Sequence, residues 1–125
     1  MSTLLTLSSL SGALAVGLGA FGAHALRGNV SDKMMDTWDT ASHYHLIHST
    51  ALLAIGVFQQ TQINASSGIT SAGNLMFTGM TLFSGSLYIM VVTDIRGKFG
   101  IITPIGGLFL IAGWLKLAYE VQQQK

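Results

Sequence analysis

From Leu4 to Leu26 the chain carries no Asp, Glu, Lys or Arg, and predominantly apolar stretches recur at about 38–60, 72–92 and 103–120. About 20 such residues in a helix cover the hydrocarbon thickness of a bilayer at roughly 1.5 Å per residue. Hydrocarbon offers the backbone no hydrogen bonds, so each stretch must satisfy its own N–H and C=O groups as a helix. The expected fold is therefore all-α, an integral membrane four-helix bundle in one domain over residues 1–125. Composition agrees, with 50% hydrophobic and 9% charged residues against about 25% charged in soluble domains. The absence of cysteine excludes disulfides, thiolate zinc sites and iron–sulfur clusters. A net charge of +1 without a basic cluster excludes nucleic acid as a favoured partner, leaving membrane lipid.

Local signals set the boundaries. Ala23-His24-Ala25 imitates a small-x-small cleavage site, but no Lys or Arg precedes the run and the run exceeds the length of a signal-peptide core, so an uncleaved first span is expected. Arg27 suits the negative end of that helix, and Gly28 suits a left-handed cap. Asn29 and Ser31 are N-cap residues for a second helix with Asp32 and Asp36 in its first turns. That helix runs to about Gln60, longer than the hydrocarbon is thick, so its acidic start stands outside or along the interface. A polar linker, Thr61 to Ser71, contains the sequon Asn64-Ala65-Ser66. The fourth span is expected to open at Thr103-Pro104, as N-cap and first helical residue, and to end near Tyr119. Trp38, Tyr88, Trp114 and Tyr119 fall near span ends, where amphipathic rings sit at headgroup level. Rows of small residues in the first span, Ser8 with Gly12 and Ala15 with Gly19 and Ala23, point to close helix packing. Arg27, Lys33, Arg96 and Lys98 oppose Lys116 and Lys125, a distribution that places both termini outside.

Three of the four histidines lie between Trp38 and Phe58, where a polar helix end turns apolar. His24 is expected at the same depth as His45 and His48, which share a helix face three residues apart. Together they form a candidate polar intramembrane cluster. Structural hydrogen bonding is its expected role. A three-histidine metal site, bis-histidine haem or a proton or solute pathway are the alternatives, because imidazole suits transition metals and intramembrane ionisable groups are functional candidates. His43 lies about 200° from His45 and is read as a surface partner of Asp39. Asp94 follows the third span, where the helix dipole disfavours an anion, so a loop clasp with Arg27, Arg96 or Lys98 is expected. Ser84 and Ser86 have no histidine and acid at catalytic spacing. Gly17 to Gly22 matches GxGxxG inside a membrane span with no strand before it, which makes the match accidental.

GAFGAHAL (Gly19 to Leu26), YHLIHSTALL (Tyr44 to Leu53), FSGSLY (Phe83 to Tyr88) and TPIGGLFLIAGW (Thr103 to Trp114) resemble, in order and spacing, a family of small four-span membrane proteins of unknown function that includes transmembrane protein 256. The resemblance covers nearly the whole chain. It implies a multi-pass protein of the plasma or bacterial inner membrane, brings no established activity, and implies termini inside. His24 and His48 fall on family-like motifs; His43 does not. The functional expectation is a non-enzymatic accessory or scaffold component without cofactor, self-associating or docked to a larger membrane complex, with His24 and His48 fixing the first helix pair.

Overall fold

The computed structural model describes residues 3–62, 67–95, 97 and 99–123. The sequon Asn64-Ala65-Ser66 and the basic residues Arg96, Lys98 and Lys125 lie outside the described residues. Among those described there are four α-helices: α1 (Thr3–Phe21), α2 (Asp32–Thr61), α3 (Ser67–Thr93) and α4 (Phe99–Gln123).

α1 runs on into a single π turn, Gly22–Leu26, in which the Arg27 N–H reaches the Gly22 carbonyl at 3.0 Å. Gly28 then takes φ +87°, the left-handed conformation that lacks a Cβ penalty only for glycine. Asn29 closes the turn by donating its side-chain amide to the Ala25 carbonyl at 2.8 Å. Ser31 is the N-cap of α2, its hydroxyl accepting from the Met34 N–H at 3.2 Å.

Contacts at both ends of the bundle give the direction of each helix. At one end Leu5 of α1 lies on Gly56 of α2, and Leu4 on Gly73 of α3. At the other, Trp38 of α2 lies on Gly22 and stacks obliquely on Tyr88 of α3 at 4.7 Å. So α1 and α3 run parallel with α2 antiparallel to both. α4 returns along α3, with Gly106 on Phe83, Gly113 on Met76 and Glu120 on Gly68. The result is an up-down-up-down bundle.

The closest approach is between α3 and α4. A Cβ on Gly79 would stand 2.7 Å from the Leu110 nitrogen and 2.8 Å from the Gly106 oxygen, and one on Gly106 would collide with the Phe83 backbone. The small-residue rows of α1 pack less tightly than the spacing suggests. Ser8 and Ala15 are buried, but a Cβ on Gly19 would meet open space and Ala23 is exposed. The large side chains of α1, among them Leu10, Leu14 and Val16, are exposed; in a bilayer that face meets acyl chains.

The start of α4 corrects the sequence reading. The helix opens at Phe99, so Pro104 lies inside it and Thr103 is not its N-cap. Proline cannot bond the carbonyl four residues back, that of Gly100 in the first turn of α4. Beside it the Thr103 hydroxyl reaches the Phe99 carbonyl at 3.2 Å and the Ser86 hydroxyl at 2.5 Å.

α1 with its π turn, α3 and α4 are each long and apolar enough to cross a membrane. α2 has the length, but its three histidines and acidic first turns dilute its apolar half. Four of its polar side chains are instead covered by protein: Trp38, His45, His48 and Ser49 are all buried.

Glu120 was not singled out by the sequence reading. It is 8% exposed, pairs with Lys116 at 2.8 Å, and its carboxylate lies against Gly68 in the first turn of α3, where the helix dipole favours an anion. Glu120→Ala removes both the anchor of Lys116 and the charge at the α3 terminus. A loss of about 1 kcal/mol is expected, read as a lower midpoint when the detergent-solubilised protein is unfolded with SDS; an unchanged midpoint would remove Glu120 from the account.

Candidate functional site

The polar residues inside the bundle gather around α2. His45 and His48 sit three residues apart, yet their rings part company: His45 reaches α1 and α3, and His48 reaches α4.

His48 can be assigned outright. Its Nδ1 lies 2.8 Å from the Tyr44 carbonyl, which can only accept, so Nδ1 carries the proton. Its Nε2 lies 3.0 Å from the Trp114 indole N–H, which can only donate, so Nε2 is the bare nitrogen. The ring is neutral, and its lone pair is already engaged.

His45 is held on both sides: its Nε2 lies 3.0 Å from the Ser11 hydroxyl and its Nδ1 3.0 Å from the Tyr88 hydroxyl. Ser11 lies 2.7 Å from Ser49, whose hydroxyl reaches the His45 carbonyl at 2.8 Å, and both serine hydroxyls also reach the Met80 sulfur, at 3.8 and 3.7 Å. The chain runs Tyr88, His45, Ser11, Ser49 and closes on the backbone carbonyl of His45. It ties α1, α2 and α3 together with charge-free hydrogen bonds, the form that costs least in hydrocarbon. A further tie is the Ser84 hydroxyl of α3, which donates to the Ala41 carbonyl of α2 at 2.8 Å.

Beside this chain an open groove of about 340 Å³ separates α1 from α3, with His45 of α2 at its floor. Its walls are apolar, with Leu10 and Leu14 on one side and Phe77 and Met80 on the other.

The expected three-histidine cluster does not assemble. His24 is exposed in the π turn, where the register shift of one residue and the Gly22–Trp38 contact turn it out of the bundle. His45 and His48 have diverging partners, and neither fixes α1 to α2 through His24. Among the described residues no group of three or more His, Cys, Asp or Glu stands close enough to hold a metal ion. The loop clasp is likewise redrawn, since Arg27 pairs with Asp39 at 3.8 Å and not with Asp94. Both members are more than half exposed, so the pair contributes little. Asp94 takes φ +55° at the end of α3, and Arg96 lies outside the described residues. Asp39, expected beside His43, is thus turned to Arg27, while the exposed His43 ring lies edge-on to Tyr44 at 6.1 Å.

Sequence reasoning missed Ser11, Ser49, Tyr88 and Trp114. Tyr88 and Trp114 were read as headgroup anchors from their distance to span ends, and Trp38 with them. The structure turns all three polar tips inward, with the Trp38 N–H donating to the Leu18 carbonyl at 2.8 Å. Tyr119 is 58% exposed, and Trp114, although its N–H is turned to His48, is itself 44% exposed. A usable signal existed: Ser11, His45 and Ser49 are polar residues within otherwise apolar runs, and such groups must find one another.

A helical bundle with lipid-length apolar helices and an internally satisfied polar interior defines a multi-pass integral membrane protein. The chain belongs to the family described as "Protein of unknown function (DUF423)", which matches residues 18–107 and is of the kind the four motifs resemble. It is 48% identical over 117 residues to a UPF0382 membrane protein of Staphylococcus haemolyticus, covering 94% of this chain and 93% of the relative. It is 43% identical to the UPF0382 membrane protein YwdK of Bacillus subtilis, covering 94% of each chain. No solved structure matches it.

Proposed function

We propose that the protein is a non-enzymatic scaffold or accessory component of the bacterial plasma membrane, crossing it four times, with α2 carried across inside the cover of its neighbours. One observation supports the reading above the others. Both ring nitrogens of His45 and of His48 are spent on partners within the bundle, so the most reactive side chains of the interior serve as fasteners. A ligated metal or haem iron would have to displace the Trp114 indole from His48 or break the Tyr88–His45–Ser11 chain. The apolar outer faces of α1 and α4 offer surfaces for self-association or for docking within a larger membrane complex.

The test is visible absorption and metal analysis of the protein purified in mild detergent at native abundance, with identification of whatever co-purifies. The expected result is no stoichiometric cofactor, and a protein partner or a defined oligomer that survives His48→Ala. A stoichiometric cofactor lost on His48→Ala would overturn the proposal.

A further inference from the structure

The apolar groove between α1 and α3 leads into a polar recess. Leu7 lines the groove and also a second space of about 590 Å³, at the end of the bundle where α1 begins and α2 gives way to α3. Around that recess stand Thr3 of α1, Gln59 and Gln60 of α2, and Thr70 and Asn74 of α3, all polar and none charged. Beyond Leu7 the surface turns apolar, and the hydroxyls of Thr81 and Ser84 are turned onto the Phe77 and Ala41 carbonyls at 2.9 and 2.8 Å. The two parallel helices keep one register along this course, since Leu4 lies on Gly73 and Ser11 reaches the Met80 sulfur at 3.8 Å. Thr3, Leu7, Leu10, Leu14 and Leu18 on one face of α1 therefore run beside Asn74, Phe77, Thr81, Gly85 and Tyr88 on one face of α3. Recess and groove form a single furrow, polar at its mouth and apolar along its length.

We infer that this furrow holds a diester glycerolipid lengthwise, its ester and glycerol region in the polar recess and one acyl chain in the groove. Three features argue for that occupant. The first is length: at about 1.5 Å per residue, Leu7 to Leu18 spans about 16 Å, close to the ~15 Å that each leaflet contributes to a hydrocarbon layer of about 30 Å. The second is the order of polarity. The recess stands at the span ends, where the ester groups of a lipid lie, and the amides of Gln60 and Asn74 are exposed and engage no other described side chain, whereas Gln59 is tied to Thr70 at 2.8 Å. Each free amide offers two N–H donors, and an ester carbonyl can only accept. The third is charge: no Lys, Arg, Asp or Glu lines the recess or the groove, so the head's charge goes unread and the part recognised is the diacylglycerol moiety. The second acyl chain stays in the bilayer. Lipid that merely surrounds a helix needs neither a furrow nor amides at one end of it.

The test uses the full chain in nanodiscs of a diether phosphatidylcholine, which has no ester carbonyls. With ¹³C-methyl methionine, Met80 in the groove wall is read against Met90, which packs with Ala41 and Leu87 away from it. Dioleoylglycerol, dioleoylphosphatidylglycerol and the diether analogue of dioleoylglycerol are titrated in parallel. The expected result is a saturable Met80 shift with both diesters, their affinities within about twofold of each other and about fivefold tighter than that of the diether, with Met90 unmoved. Replacing Gln60 and Asn74 together by Ala is expected to bring the diesters down to the diether's affinity. Gly85→Leu, whose side chain would enter open space in the groove, is expected to abolish the shift, and Gly17→Leu, equally open but outside the furrow, to leave it unchanged. A shift that never saturates, an equal response to diester and diether, or a response confined to the anionic lipid would overturn the inference. The comparison of lipids on the unmodified protein decides the question even if a variant fails to fold.

Discussion

Gly106→Val is expected to lower the stability of the bundle by about 3 kcal/mol, the upper range for overpacking at a rigid contact. The reason lies in what the new side chain meets. At Gly106 it meets the Phe83 backbone and the Gly79 carbonyl, which cannot swing aside as a side-chain tip can. α3 and α4 must separate, and their separation costs dispersion contacts that water would not repay in a membrane. Gly79→Val should behave alike, with the Leu110 nitrogen and Gly106 oxygen in the way. Gly19→Ala and Gly85→Ala, where a Cβ finds open space, serve as controls and should move stability by less than about 0.5 kcal/mol. SDS-driven unfolding followed by far-UV circular dichroism reads all four; comparable midpoints for Gly106→Val and Gly19→Ala would refute the close α3–α4 packing.

His45→Ala should cost about 2 kcal/mol, because it deletes two hydrogen bonds and leaves the Tyr88 hydroxyl without its ring partner, while Ser11 keeps Ser49. Exposed His43 on the same helix offers the comparison, and His43→Ala should change stability by less than about 0.5 kcal/mol. His45→Gln, whose amide can donate to Ser11 and accept from Tyr88, should recover part of the loss. In a double-mutant cycle with Tyr88→Phe, the second substitution should cost less in the His45→Ala background than alone, since the partner is already gone. Strict additivity of the two would show that the ring and the phenol do not interact.

These expectations draw on features that were not equally visible in the chain. The span from Leu4 to Leu26, the Gly28 cap and the Ser31 N-cap of α2 were legible because each is a local matter of length, φ or a single side-chain hydrogen bond. The start of α4 differs because proline excludes only the bond to the carbonyl four residues back, so a first turn from Phe99 can precede Pro104 and the helix continues through it. The histidines were found and their grouping was not. Spacing placed His45 and His48 on one face, but the partners that pull them apart, Tyr88 and Trp114, come from α3 and α4. His24 left the group because a π turn shifted its direction, and no sequence signal short of the Gly22–Trp38 packing announces that turn.

By itself the chain determined its solvent and hence its helices. Apolar runs of about 20 residues with few charges satisfy their backbone as helices in a medium that cannot hydrogen-bond it. Which faces meet, which nitrogen carries a proton, and where a groove stays open were decided only when four helices packed, because small residues and lone polar groups each admit many neighbours and only the assembled bundle selects one.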